Sequence, residues 1–204
     1  MFAVHEARTG RVLEVIQAIQ TRRSVGRVTQ DEIPDETVRQ ILESAVHAPN
    51  HKLTEPWELH VFSGKGRGKL ARARAELARI QAEEEGEDEE DMISGRVSRE
   101  RKKAFRAPLV IAVISKAGRG EVETLENYAA CCCAAQNMQL AAHGMGLGSI
   151  WRTGAVAYHP YMREFFGLED GDHIVAYLYI GYPDVELRPR RRAPVSQKTV
   201  WHET

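Results

Sequence analysis

The chain has 204 residues, 43% hydrophobic and 28% charged, which is enough apolar material for one globular core and too much for a largely disordered chain. Its formal net charge of −1 gives no general attraction to nucleic acid or anionic lipid, so any anion site must be built locally. Cysteine occurs only as Cys131-Cys132-Cys133; adjacent helical side chains diverge by about 100°, which suits neither a zinc ligand set nor a C-x-x-C pair, so small buried side chains in a reducing cytoplasm are the expectation.

Residues 1–11 form an N-terminal extension with Glu6 and no apolar run, unlike a signal peptide. Val12, Val15, Ile16 and Ile19 predict an amphipathic helix over 12–21 that ends at Arg22-Arg23-Ser24. A second helix runs from about Pro34 through Val38, Ile41 and Ala45 and stops before Pro49, because a residue preceding proline disfavours the helical well. The loop Ala48-Pro-Asn-His-Lys52 follows. Trp57–Phe62 alternates as a strand. Residues 70–103 are helical and charged, acidic over 83–91 and basic over 96–103; they read as a solvated excursion with a mobile tip or, more sharply, as a lid over a site.

Pro108–Ile114 predicts a strand buried on both faces. Residues 127–151 lack Lys, Arg, Asp and Glu over a length that could span a bilayer, but Asn127, Gln136, Asn137, Gln139 and His143 would need partners inside hydrocarbon. A helix buried in a protein core, and across a subunit interface, is the cheaper reading. His173–Gly181 predicts a third strand, closed by Gly181-Tyr-Pro183, and the tail from Pro189 to Pro194 is extended and basic. No repeat or linker divides residues 1–204. Helices flanking three or four strands without regular strand-helix alternation predict α+β, not a doubly wound sheet.

Gly144-Met-Gly-Leu-Gly-Ser-Ile-Trp-Arg152-Thr-Gly154 offers exposed backbone, an aromatic and a cation together. It is not a dinucleotide fingerprint, since Ser149 replaces the third glycine and the pattern ends a helix. Arg152 directly after an apolar turn must find an anion, a carbonyl or water. Arg22-Arg23-Ser24 could hold a phosphate or could simply satisfy a helix end. In extended chain Arg188, Arg190 and Arg192 project to one side and could converge on a phosphate, or form a basic surface tail. No Ser-His-Asp order, H-E-x-x-H pair or P-loop occurs.

Taken in order, Arg22-Arg23-Ser24, Ala48-Pro-Asn-His51 before a Pro-Trp strand, Asn137 through Trp151-Arg152 and the basic tail resemble the FMN-dependent nitroreductase family, closest to its small members, over roughly residues 12–200. The resemblance implies an α+β flavin fold with a mainly antiparallel sheet and a long central helix at a homodimer interface. Two FMN sites would then be shared between chains. Arg22, Arg23 and Ser24 match flavin contacts from one chain, with Trp151, Arg152 and Thr153 on the strand side and Arg190 or Arg192 at the phosphate. His47 and His51 match positions that approach from the other chain. Many relatives carry a lysine or arginine two residues after the serine, near the flavin N1–C2=O edge, whereas this chain has Gly26 there and Arg27 next.

The implied activity is ping-pong reduction of nitroaromatics, quinones or similar electron-poor small molecules by NADH or NADPH through FMN, with no catalytic side chain and no metal. A flavin-storing or redox-sensing module without efficient turnover is the alternative. Neither reading involves a membrane or nucleic acid.

Overall fold

The computed structural model describes residues 14–187 and 191–202. Its centre is set by the strand with the most apolar sequence: every residue of β2 (Leu109–Ser115) is buried. Leu109, Ile111 and Val113 face one apolar layer while Val110, Ala112 and Ile114 face the other. β1 (Trp57–Ser63) and β4 (His173–Gly181) flank it, and β3 (Gly148–Arg152) pairs with β4, in the order β1-β2-β4-β3 with every pairing antiparallel. The expected α+β class is observed. Between β2 and β4 the register passes from Val113↔Ala176 to Ile114↔Ile174, so Val175 is a bulged residue. It joins Ala176 in one apolar layer.

The first layer is closed by α2 (Asp35–Val46) and α5 (Glu121–Gly144). Ala134, Ala135, Met138 and Ala142 bring α5 close to the sheet, which small side chains permit. Of the amides that argued against a bilayer, Asn127 and Asn137 have partners inside the protein. Asn127 accepts from Thr54 Oγ1 at 2.8 Å and donates to Lys116 O at 3.1 Å, and Asn137 donates to Ser44 O at 3.2 Å. Among the described residues no helix is long and apolar enough to cross a membrane.

The second layer lies under α3 (Arg67–Glu84), α6 (Ala155–Tyr158) and α7 (Pro160–Phe165). Leu70, Ala71, Ala73 and Leu77 of α3 belong to this core, so the first helix of the charged stretch is structural and differs from a wholly solvated excursion. Alanines between the charges made its apolar face hard to see. The acidic block forms the turn into α4 (Glu90–Lys103), where Arg96 pairs with Glu85 at 2.6 Å and Glu87 at 3.7 Å. Exposed pairs of this kind contribute little individually and here pin the turn.

The cysteine expectation holds at one position. Cys131 is buried, its thiol pushed up to about 12 chiefly by burial, whereas Cys132 is half-buried and Cys133 exposed. A short helix α1 (Val15–Thr21) precedes the arginine pair; the start of the helix expected from Val12 lies outside the described residues, as does Arg190.

Candidate functional site

The segment after α1 is stitched to β3, which brings together two motifs more than a hundred residues apart. Ser24 and Ser149 form a parallel bridge, Val25 donates to Ser149 O at 2.9 Å, and Thr29 donates to Tyr182 O at 2.8 Å. Glycine makes this approach feasible: a Cβ on Gly148 would lie 2.8 Å from Val25 Cβ, and one on Gly181 would lie 2.7 Å from Val28 Cγ2. Gly148 and Gly181 are register partners across β3 and β4.

Arg22, Arg23 and Arg152 each hold a buried guanidinium nitrogen without a partner among the described residues: Nη1 of Arg22, Nε of Arg23 and Nε of Arg152. Arg23 spends Nη1 on the carbonyls of Gln20 and Arg22 at 2.7 and 2.8 Å. Burial, then Arg192, then Arg23 lower the pKa of Arg22, so the basic tail returns to the arginine pair. Buried donors and clustered like charges are costly without an anion. This is the arrangement expected of an oxyanion site.

His143, in the last turn of α5, completes the cluster. Its Nε2 lies 2.8 Å from Thr21 Oγ1, which itself donates to Gln17 O at 2.6 Å. Burial first, then Arg22 and Arg23, hold its pKa below the ordinary histidine value. Sequence reasoning missed this role, because His143 stood out only as a polar residue in an uncharged run; its proximity to Arg22 is tertiary.

Arg152 leaves β3 on the face of the second apolar layer. Its guanidinium lies 5.8 Å from the Tyr179 ring centroid, and its Nη2 would be 3.4 Å from a Cβ on Gly26. Trp151 packs against the opposite layer, as strand alternation requires. With Thr153 and Gly154, these residues form one wall of a 370 Å³ cleft. Thr153 is exposed, and Gly154 has φ +91°, a left-handed value that favours glycine.

The two expected histidines do not join this cleft within a single chain. His47 is exposed and 3.7 Å from Glu43, and His51 is exposed in a short 3-10 turn. Neither lines the cleft. The loop around His51 is strained, since Lys52, Leu53 and Glu55 have φ of 53°, 54° and 44°. Asn50 Oδ1 holds it by accepting from the Glu55 N–H at 3.0 Å. No cluster of metal-ligating side chains occurs among the described residues.

A family model described as "Nitroreductase family" matches residues 19–182. The Escherichia coli (strain K12) protein named "Putative NAD(P)H nitroreductase YdjA" is 34% identical over 183 residues, covering 89% of this chain and 95% of its own. A nitroreductase-like family protein from Bacillus cereus superposes with a TM-score of 0.82 at 30% identity, covering 95% of this chain and 98% of that one. A nitroreductase with bound FMN from Bacteroides fragilis NCTC 9343 shares the fold, with a TM-score of 0.71 at 22% identity over 93% of this chain and 100% of that one.

Proposed function

The chain belongs to the nitroreductase family, and from that membership we propose that it is an FMN-dependent oxidoreductase that passes reducing equivalents from NADH or NADPH to nitroaromatics, quinones or similar electron-poor acceptors. The observation that carries the reading is the set of unpartnered buried nitrogens on Arg22, Arg23 and Arg152, spread over two segments that β3 holds together. A phosphate at the first two and a carbonyl-rich ring at the third would satisfy all three. The residues present therefore fit FMN.

In this reading Arg22 and Arg23 bind the phosphate, with Arg192 approaching it from the tail and the Ser24 hydroxyl as a further donor. Trp151, Arg152 and Thr153 orient the ring and exclude water from one edge. Arg152 also occupies space beside Gly26, where its positive charge would favour negative charge on a reduced ring. When bound, FMN supplies the two-step redox chemistry, accepting hydride from the nicotinamide and returning reducing equivalents to the acceptor. No side-chain acid or base is assigned.

Completion of the site by a second copy is supported by what this chain leaves exposed. Val15, Ile16 and Ile19 of α1 are 70%, 65% and 52% exposed, and Val122 and Leu125 at the start of α5 are 73% and 70%. Exposed apolar side chains grouped on these helices favour a partner surface. A homodimer formed there would present the strained His51 loop, with His47, to the neighbouring chain's site.

The test is the visible spectrum of the purified protein, followed by anaerobic addition of NADH and NADPH separately. Bleaching of a flavin band that a nitroaromatic or quinone then reverses is the expected result. Flavin that binds but stays oxidised would replace the enzyme with a storage or sensing module. A protein that cannot be reconstituted with FMN would refute the proposal.

A further inference from the structure

The cleft beside Arg152 carries more positive charge than an FMN phosphate held at Arg22 and Arg23 requires, since neither of those arginines lines it. The same cleft is lined by Arg74 of α3 and by Lys103 and Arg106 at and beyond the end of α4, with Tyr177 and Tyr179. Arg74 is 6% exposed and donates to Glu100 Oε2 at 2.7 Å, and Lys103 pairs with the same carboxylate. Glu100 is thus shared by two cations. Arg106 and Arg152 have no ion pair among the described residues.

The tyrosines sharpen the picture. Tyr177 donates to Val156 O at 2.9 Å, whereas the Tyr179 hydroxyl makes no hydrogen bond among the described residues. Burial pushes the Tyr179 phenol up, while Arg74, Arg152 and Arg106 pull against it; all three arginines line the same cleft as Tyr179, with the Arg152 guanidinium 5.8 Å from its ring centroid. A partly buried space with four cations, one shared carboxylate and a free phenol is complementary to an oxyanion attached to a flat ring. There a charge-assisted contact is stronger than in open water. A neutral ligand would leave the cations uncompensated, so the charge also discriminates.

We propose that this cleft is an oxyanion subsite, assigned to Arg74, Lys103, Arg106, Arg152 and Tyr179, that holds the carboxylate or phosphate of the reactant meeting the cofactor. That a reactant brings the anion rests on the FMN reading; the subsite itself rests on the cleft. Two sources share the chemistry: an aromatic carboxylate acceptor, or the 2′-phosphate that separates NADPH from NADH.

Arg106 is exposed and lies outside the FMN contacts, so Arg106→Gln is the test variant, with circular dichroism to confirm folding. With FMN-loaded protein, kcat/KM is measured for 4-nitrobenzoate against 4-nitrobenzamide and for NADPH against NADH. The variant should lose roughly tenfold for 4-nitrobenzoate or for NADPH while the counterpart that lacks that carboxylate or 2′-phosphate changes less than about twofold, and the pair affected identifies the source. Equal effects within both pairs, or none, would overturn the proposal. A calorimetric titration of FMN-free protein with benzoate and benzamide separates this outcome from failure of the flavin reading. Benzoate should bind the more tightly and weaken roughly tenfold in the variant even if no flavin is ever taken up. Benzoate binding no tighter than benzamide would eliminate the subsite, however well the flavin turns over.

Discussion

Arg22 keeps its charge against burial and two neighbouring guanidinia, so an arriving phosphate relieves repulsion as well as forming a contact. Arg22→Ala should therefore weaken FMN binding by about 1.5–3 kcal/mol, the cost of losing one hydrogen bond to a charged group; fluorescence titration of apoprotein with FMN measures it. An unchanged Kd would remove Arg22 from the phosphate site. His143 makes the same electrostatics visible without ligand. Its folded pKa is depressed by burial and the two arginines, so near pH 6 the native state binds fewer protons there than the unfolded chain, whose histidine titrates near about 6.5. This contribution favours folding above that value and is lost as pH falls through it towards the folded pKa. Urea midpoints of the apoprotein should drop between pH 7 and pH 5, and His143→Gln should flatten the drop; a parallel pH profile in the variant would mean that His143 does not report on the cluster.

The segment from Arg22 to Thr29 has no helix or strand of its own and depends on β3 and β4 for its position. Gly148 is where that dependence is tightest, because a methyl group would meet Val25 Cβ and Cγ1 at 2.8 and 2.9 Å. Gly148→Ala should cost about 1–3 kcal/mol of stability through overpacking and should weaken FMN binding as well, since Arg22 and Arg23 would be pushed away from Arg152. Thermal unfolding and flavin titration on one preparation check both, and an FMN affinity that survives a lowered Tm would uncouple the segment from the site. The sequence made β2 and β4 readable because their apolar runs have few other uses in a globular chain, and α5 because its uncharged stretch carries amides that need a folded interior. The β3–α1 stitch was not readable from periodicity, as it joins Ser24 to Ser149; only the family resemblance grouped their neighbours. The role of α3 was obscured for another reason: alanines outnumber leucines on its buried face, which also carries Arg74, whose charge is matched among the described residues by Glu100 of another helix. The cationic cleft was hidden in the same way, since Arg74, Arg106 and Tyr179 converge from three elements.

At the scale of the assembly, the chain leaves uncovered the apolar surfaces that flank its own site. α1 buries Ala18 and exposes Val15, Ile16 and Ile19, although it leads directly into Arg22. Farther along, Val195, Val200 and Trp201 of the tail beyond Arg192 are 78%, 79% and 78% exposed. Helices as short as α1 are marginal in water without tertiary packing, so covering its outer face would also steady the arginine pair that follows it. Dimer formation and FMN affinity should therefore be coupled. Ile16→Asp combined with Ile19→Asp should shift the protein from dimer to monomer in sedimentation at micromolar concentration and should weaken FMN binding in parallel. The substituted side chains are exposed in the single chain, so its core should tolerate them and far-ultraviolet circular dichroism should remain that of a folded α+β protein. A wild-type protein that sediments as a monomer yet binds FMN tightly would show that one chain holds the whole site; His47 and His51 would then have no part in it, because neither lines the cleft of its own chain.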